Sequence, residues 1–174
     1  MVKNILLFIL VLAVPVLGFS QKKKQKQANK ETEQWRYEIE VVAQGAQGTC
    51  LIKVWSYSAK PDIAKNQATK NAVHGVIFKG VPGTKNNRVP AREALVRDAK
   101  TIEKYKEFFQ EFFKDGGDYM RYVTLTNSGA VAAGDVMKVG KKEYKVGVVV
   151  SVRYDALKKL LEEKGIIKKL GAGF

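Results

Sequence analysis

Residues 48–80, GTCLIKVWSYSAKPDIAKNQATKNAVHGVIFKG, decide the fold, because a strand pattern changes here into a helix pattern. Residues 50–57 alternate between two faces, which predicts a strand. One face carries Cys50, Ile52, Val54 and Ser56, and the other carries Leu51, Lys53, Trp55 and Tyr57. After Pro61 small apolar residues recur every four positions and so share one helix stripe. They are Ala64, Ala68, Ala72 and Val76. We therefore predict a helix that packs closely on this strand.

Similar patterns extend outward from this stretch. Residues 35–42 (WRYEIEVV) alternate and predict a half-buried antiparallel strand, joined to the next strand by a glycine-containing turn. Residues 91–114 predict the longest helix, broken near Thr101 and aromatic in its second half. Further strands are predicted at residues 120–126, 136–139 and 143–152. Asp155 is the predicted N-cap of a last helix at residues 156–164, with Gly165 at its C′ position.

The element order ββα-α-βββα predicts a single α+β domain over residues 35–174. We expect a mainly antiparallel sheet of about five strands with about three helices on one face. The predicted strand at residues 143–152 is almost continuously apolar from Val146 to Val152, as a central buried strand would be.

The first 34 residues predict export. Lys3 is followed by an apolar run at residues 5–17 and by Gly18-Phe19-Ser20, so residues 1–20 are predicted to be a signal peptide cleaved before Gln21. An uncleaved anchor is the alternative. Residues 21–34 are rich in lysine and glutamine and predict a disordered tether. The expected location is the periplasm or the cell surface.

The composition favours anionic partners. The formal net charge is +14, and removal of residues 1–20 takes away Lys3 and leaves +13. Such a balance favours contact with phospholipid, lipopolysaccharide or cell-wall polymer. Nucleic acid ranks last for an exported chain without a recognisable binding module. The single cysteine allows no internal disulfide, so stability must come from packing.

Cys50 and His74 are the only residues of their types, and a cysteine nucleophile would need a positioned histidine. Cys50 lies on a predicted strand among apolar neighbours, where a free cysteine behaves as a small hydrophobic residue. His74 lies off the alanine stripe and should point sideways or outward. We therefore interpret both residues as structural.

No pattern predicts a catalytic, cofactor or metal site. The one histidine, the one cysteine and the scattered carboxylates do not match zinc or calcium ligand sets. The glycines at residues 80–83 and 129–134 match neither a phosphate-binding loop nor a dinucleotide fingerprint. Solvated charge is the simplest interpretation of the paired acids.

The remaining candidates are surface residues. Basic residues cluster around the predicted loop at 83–90 and around the second predicted hairpin, and would bind anions if they shared a face. The alternative is ordinary solubilising charge. Four phenylalanines at residues 108–113 cover more than one helix face, so one is expected to be exposed or to meet a partner, unless the helix is buried on two sides. The candidate binding residues are Lys85, Arg88, Arg92, Phe108, Lys141 and Lys142.

Two groups of features resemble known proteins. The alanine-spaced helix after a strand and the later VGVVVSVRYDALKKLLEEKG (146–165) are similar to the N-terminal module of flagellar H-ring proteins and related surface-lipoprotein domains. This chain differs from them by lacking a lipid-attachment cysteine and by adding an aromatic helix. Three further segments resemble uncharacterised exported proteins of the Bacteroidetes. They are the glutamine- and lysine-rich segment after the cleavage site, GTCLIKVWSYS (48–58), and FFQEFFKDGG (108–117). Neither resemblance implies catalytic residues.

The sequence favours a non-enzymatic envelope module that binds a protein partner or an anionic surface polymer. An envelope hydrolase with a dispersed active site is the alternative, and its candidates are Asp118, Tyr122, Asp135 and Tyr144. A third hypothesis is a structural subunit that uses the aromatic helix as its interface.

Overall fold

The alternating residues of the first two strands form a β-hairpin. The computed structural model describes residues 23, 26–28, 30, 34–84 and 89–168. In it β1 (Tyr37–Gln44) and β2 (Cys50–Ser58) pair antiparallel, with Tyr37 opposite Ser56. The face of β2 that begins at Cys50 is buried at every second residue, which confirms the predicted two-face pattern.

Three further strands complete an antiparallel sheet, which is curled into a half-barrel. They are β3 (Val123–Leu125), β4 (Val136–Gly140) and β5 (Glu143–Val152). β5 pairs with β2 on one side, and with β3 and β4 on the other. This topology confirms the predicted α+β class, the five strands, the β4–β5 hairpin and the central position of β5.

The alanine stripe seats the longest helix on the sheet. α1 (Pro61–Phe78) begins at a proline, whose missing N–H is not needed in the first turn. Ala64, Ala68 and Ala72 are fully buried, and α1 packs on β2 and β5. The helix ends before Gly80, whose φ of 78° favours glycine. A Cβ at Gly80 would lie 2.6 Å from the carbonyl oxygen of Arg92.

The predicted helix at residues 91–114 is wrong in its first part and in the position of its break. Val81 and Arg92 exchange two backbone hydrogen bonds, at 2.7 and 2.9 Å, which hold this part of the chain extended. Helix begins only at α2 (Ala99–Lys104), where Asp98 accepts from two backbone N–H groups of the first turn. After Tyr105 it continues as α3 (Lys106–Phe112), so the break lies at Tyr105 instead of Thr101.

Two further boundary predictions are wrong. The strand predicted at residues 120–126 is shorter, because a 3-10 helix at Asp118–Tyr122 precedes β3. Asp155 lies inside the first turn of α4 (Tyr154–Glu163), and Arg153 occupies the cap position without a side-chain cap hydrogen bond. The backbone N–H of Asp155 instead donates to the carbonyl of Gly48, at 3.1 Å. Gly165 has a φ of 67°, as expected for a residue at C′.

The two sides of the sheet differ in chemistry. The inner side, against α1, carries fully buried residues such as Ile52, Val54, Val148 and Val150. The outer side carries aromatic residues between charged ones: the ammonium of Lys145 lies 5.3 Å from the Trp55 ring centroid and 5.5 Å from that of Tyr57. Ion pairs of this side are Arg36–Glu143, Lys145–Glu38 and Lys53–Asp135.

The predicted signal peptide lies outside the described residues, as does most of the predicted tether. The tether residues that are described in a helical conformation are Lys23, Lys26, Gln27, Ala28 and Lys30. Among the described residues, no helix has the length and apolar character needed to span a bilayer.

Candidate functional site

An aromatic groove lies between α1 and the α2–α3 segment. Its volume is about 740 Å³, within the range of about 300–1,000 Å³ typical of ligand-binding clefts. The residues that line it are Trp35, Lys70, His74, Phe78, Ile102, Glu103, Lys106, Phe109, Gln110, Phe113, Lys114 and Asp115. We call this set the aromatic groove.

Two helix stripes form the walls of the groove. On α1 the lining residues Lys70, His74 and Phe78 are four positions apart, so they form a stripe beside the buried alanines. On the opposite wall, the lining residues of α2, of α3 and of the turn after α3 recur every three or four positions, so they share one helix face. Side chains of the two helical segments therefore face each other along the groove.

His74 is held by an aromatic stack and a hydrogen bond. Its ring stacks on Trp35, with centroids 3.5 Å apart and planes 14° apart. Its Nδ1 lies 2.6 Å from the hydroxyl of Tyr37. Burial lowers the pKa of His74 to about 3, and the nearby charge of Lys79 adds to this effect. Burial also raises the pKa of Tyr37. At neutral pH both groups are therefore uncharged.

Lys79 holds Trp35 and Tyr37 beside the groove. Its ammonium lies 3.8 Å from the centroid of the Tyr37 ring and donates a hydrogen bond of 3.3 Å to the carbonyl of Trp35. Burial lowers the pKa of Lys79. Trp35 has a positive φ of 48°, which is unusual for a bulky residue. The stack on His74 and the contact with Lys79 hold Trp35 in this conformation.

The phenylalanines of α3 pack on two sides. Phe109 contacts Phe78 of α1, with ring centroids 4.9 Å apart, while Phe112 contacts Tyr122 at 5.9 Å. Phe108 is half-buried, stacks on Phe112 at 5.7 Å and does not line the groove. The geometry thus matches the helix buried on two sides that the sequence left as the alternative.

The groove has an apolar floor and a charged rim. Lys106 lies 3.4 Å from Glu103 on the same wall, and Lys114 pairs with Glu111. Lys70 is buried, and its ammonium lies 5.9 Å from the ring centroid of Tyr119. The rim charges are therefore largely compensated, and the aromatic floor is the main surface offered to a ligand.

The ionisable groups of the groove limit the chemistry of His74. A general base works best with a pKa near the working pH, whereas the pKa of His74 is about 3. Among the described residues, no group of three or more His, Cys, Asp or Glu side chains is arranged to hold a metal ion.

The predicted basic residues do not gather around this groove. Lys85 and Arg88 lie outside the described residues. Arg92 is half-buried, with its guanidinium 4.6 Å from the ring centroid of Tyr154. Arg92 therefore lies near the last residue of β5, Val152. Lys141 and Lys142 are exposed at the tip of the β4–β5 hairpin, just before the first residue of β5. At about 3.3 Å per strand residue, the two ends are separated by roughly 30 Å. Arg92 and the hairpin lysines therefore form no common patch.

Cys50 and His74 are also far apart. Cys50 is opposite Gln44 at one end of the hairpin, whereas His74 contacts Tyr37 at the other end. The separation along the strand is on the order of 20 Å. Burial raises the pKa of the Cys50 thiol, as expected for a cysteine in the core. His74 points sideways into the groove, as the sequence predicted.

The four hydrolase candidates are dispersed. Asp135 pairs with Lys53 on the outer side of the sheet, at 2.8 Å, and exposed Asp118 lies 3.8 Å from Arg121. Tyr122 packs against Phe112, and Tyr144 lies on β5 opposite Ser58. None of the four lines the aromatic groove.

The groove was not predicted as a site from the sequence, although parts of it are visible there. The sequence predicts a helix that is aromatic in its second half, and it places His74 off the alanine stripe. The missing signal was the second stripe of α1, in which Lys70, His74 and Phe78 share a face. Together with the aromatic residues of α3, this stripe indicates that the two helices meet there.

Comparisons with protein-family models, with curated proteins and with solved structures found no match to this chain.

Proposed function

We propose that the protein is an exported, non-enzymatic binding module of the cell envelope, and that its aromatic groove takes an apolar segment of a protein partner. The groove is the observation that carries this proposal: it has a volume of about 740 Å³, an aromatic floor and a rim whose charges are largely paired. The resemblance to exported envelope modules and the predicted signal peptide support the location.

A protein partner suits the shape of the groove. Two helical walls with an apolar floor match the mode in which an amphipathic helix places its apolar face in a groove. The rim offers Gln110 and the Lys106–Glu103 pair as polar contacts around such a face. Aromatic side chains at the centre of an interface commonly carry most of its binding energy.

Filling the groove tests this function. Gln110 is exposed and lines the groove, so Gln110→Trp should obstruct it without disturbing the core. Glu107→Trp is the matched control, because Glu107 is exposed on the same helix but does not line the groove. Each protein is used to capture partners from an envelope extract of the source organism at high salt.

We expect capture by the wild-type protein and by Glu107→Trp, and loss of capture by Gln110→Trp. Equal capture by all three proteins would contradict the proposal that the groove is the contact surface. Capture at low salt alone, unaffected by Gln110→Trp, would also contradict the groove as the contact surface, and would favour contact between exposed basic residues and an anionic polymer.

Export is tested separately. The protein purified from cells that express the full chain should begin at Gln21 when its N-terminus is sequenced. An N-terminus at Met1 would contradict cleavage between Ser20 and Gln21, and would favour the uncleaved anchor.

A further inference from the structure

The edge of the sheet at β4 differs from the rest of the surface. Among the described residues, the large apolar side chains that are 36–56% exposed all lie between residues 120 and 139, and most of them belong to β4. They are Met120, Leu125, Val136, Met137 and Val139. Three of them belong to β4, in which every residue is exposed.

β4 is an edge strand. Within the described part of the chain it pairs only with β5, so one side of its backbone is unpaired. An unpaired strand edge is a template on which another extended chain can add. Val136 and Met137 are adjacent and therefore point to opposite faces of the sheet, yet both are 39% exposed. An added strand contacts both faces of its neighbour, whereas a flat surface would cover only one.

The charge at this edge is positive and uncompensated. Lys138, Lys141 and Lys142 are exposed and have no carboxylate partner among the described residues. The carboxylates at the two ends of the hairpin are already paired, Asp135 with Lys53 and Glu143 with Arg36.

This charge argues against a second copy of the chain at the same edge. In a symmetric antiparallel pairing of two β4 strands, the two Lys138 side chains at the centre would be opposed, and like charges on opposed strands are destabilising. A segment with carboxylates would instead meet three available cations. Alternating apolar residues on such a segment would cover the exposed valine and methionine side chains.

We propose that the β4 edge takes, by strand addition, an extended acidic segment of a partner protein. This surface is separate from the aromatic groove, so the proposal does not depend on the function assigned to the groove. The partner segment extends the sheet beyond β4, with its carboxylates close to Lys138, Lys141 and Lys142.

A short capped peptide of alternating valine and glutamate is the probe. It is added to the protein purified from cells that express the full chain, and hydrogen exchange is followed by NMR at each β4 amide. Strand addition should protect those β4 amides that do not bond to β5. At a peptide concentration about ten times the Kd, the protection should be about tenfold. The same peptide with a central proline, or with lysine in place of glutamate, should give no protection.

The variant Lys138→Glu/Lys141→Glu/Lys142→Glu should weaken peptide binding by at least about tenfold at low salt. The matched control is Lys100→Glu/Lys159→Glu/Lys164→Glu, which makes the same charge change at exposed positions on or beside α2 and α4. This control should bind like the wild-type protein. Circular dichroism of both variants establishes that they fold.

Three kinds of result would overturn the proposal. One is failure of the peptide test, either as equal affinity of the wild-type protein and the hairpin variant or as peptide binding without protection of β4 amides. Another is the formation of a dimer, at rising protein concentration and without peptide, in which the same β4 amides are protected. The partner at the β4 edge would then be a second copy of this chain. The third is binding of the protein to phosphatidylglycerol vesicles through the hairpin lysines, while the peptide gives no protection of β4 amides. The partner at the β4 edge would then be a lipid surface.

Discussion

The inner and outer sides of β2 are built from alternate residues of the same strand, yet they differ in almost every physical respect. Ile52 and Val54 are fully buried against α1. On the outer side, Trp55 and Tyr57 lie half-buried beside Lys145 and donate hydrogen bonds to Glu40 and Glu38. The inner side is held by packing, and the outer side by many contacts that water and salt can screen.

This difference shows where stability and recognition are located. Close packing makes the inner side sensitive to the loss of a few methyl groups. Ion pairs in contact with solvent contribute little each, so we expect the outer side to tolerate substitution better than the inner side. The aromatic groove opens from the helical layer on the inner side, where polar groups such as His74 and Tyr37 are kept neutral.

The largest expected effect comes from shortening an inner residue. Ile52→Ala should lower the free energy of unfolding by about 2–5 kcal/mol, because the buried side chain leaves a cavity. Leu51→Ala removes a similar side chain from the neighbouring, half-buried outer position and should cost less than half as much. Urea unfolding followed by circular dichroism measures both. Equal costs would show that the outer side is packed as tightly as the inner side.

The next effect concerns acid. The pKa of His74 is about 3 in the folded protein and about 6.5 in the unfolded chain. Between these values the unfolded state binds the proton and the folded state does not, so stability falls as the pH falls. Relative to a variant without the histidine, the free energy of unfolding of the wild-type protein should fall by about 2 kcal/mol between about pH 7 and about pH 5.

His74→Phe is suited to this comparison, because a phenyl ring preserves stacking on Trp35 and does not titrate. The carboxylates are the same in both proteins, so the difference between their pH profiles isolates the histidine. Parallel profiles would mean that His74 has the same pKa in the folded and unfolded states, which would contradict its burial in the wall of the groove.

The sequence predicted these two sides correctly because the information is local. Alternation in β2 follows from which residues face the sheet interior, and the alanine stripe of α1 follows from helix geometry. The apolar composition of β5 similarly reflects a strand with partners on both edges. Each pattern is contained within about ten to twenty residues.

The errors arose where distant residues decide. Residues 91–98 have a helical composition, but the backbone pairing of Arg92 with Val81 holds them extended. Asp155 has a suitable type for an N-cap, but its N–H bonds to the distant carbonyl of Gly48. The aromatic groove depends in the same way on how α1 and α3 meet, which neither helix pattern contains alone.

The smallest expected effect is on the outer side. Lys145 donates a 2.7 Å hydrogen bond to Glu38, and this bond lowers the pKa of the Glu38 carboxyl. Lys145→Met keeps the apolar stem over Trp55 and removes the charge. It should therefore lower the free energy of unfolding by less than about 1 kcal/mol at low salt, and by still less at high salt.

The same ion pair makes a contribution that depends on pH. Because the pKa of Glu38 is lowered in the folded state, the contribution of the pair to stability is present above the pKa of Glu38 in the unfolded chain, and disappears as the pH falls through the folded value. Urea unfolding at two salt concentrations, in neutral and acidic buffer, measures each difference. A large loss of unfolding free energy that does not depend on salt would contradict this expectation. It would mean that the ion pairs of the outer side are shielded from water, as the residues of the inner side are.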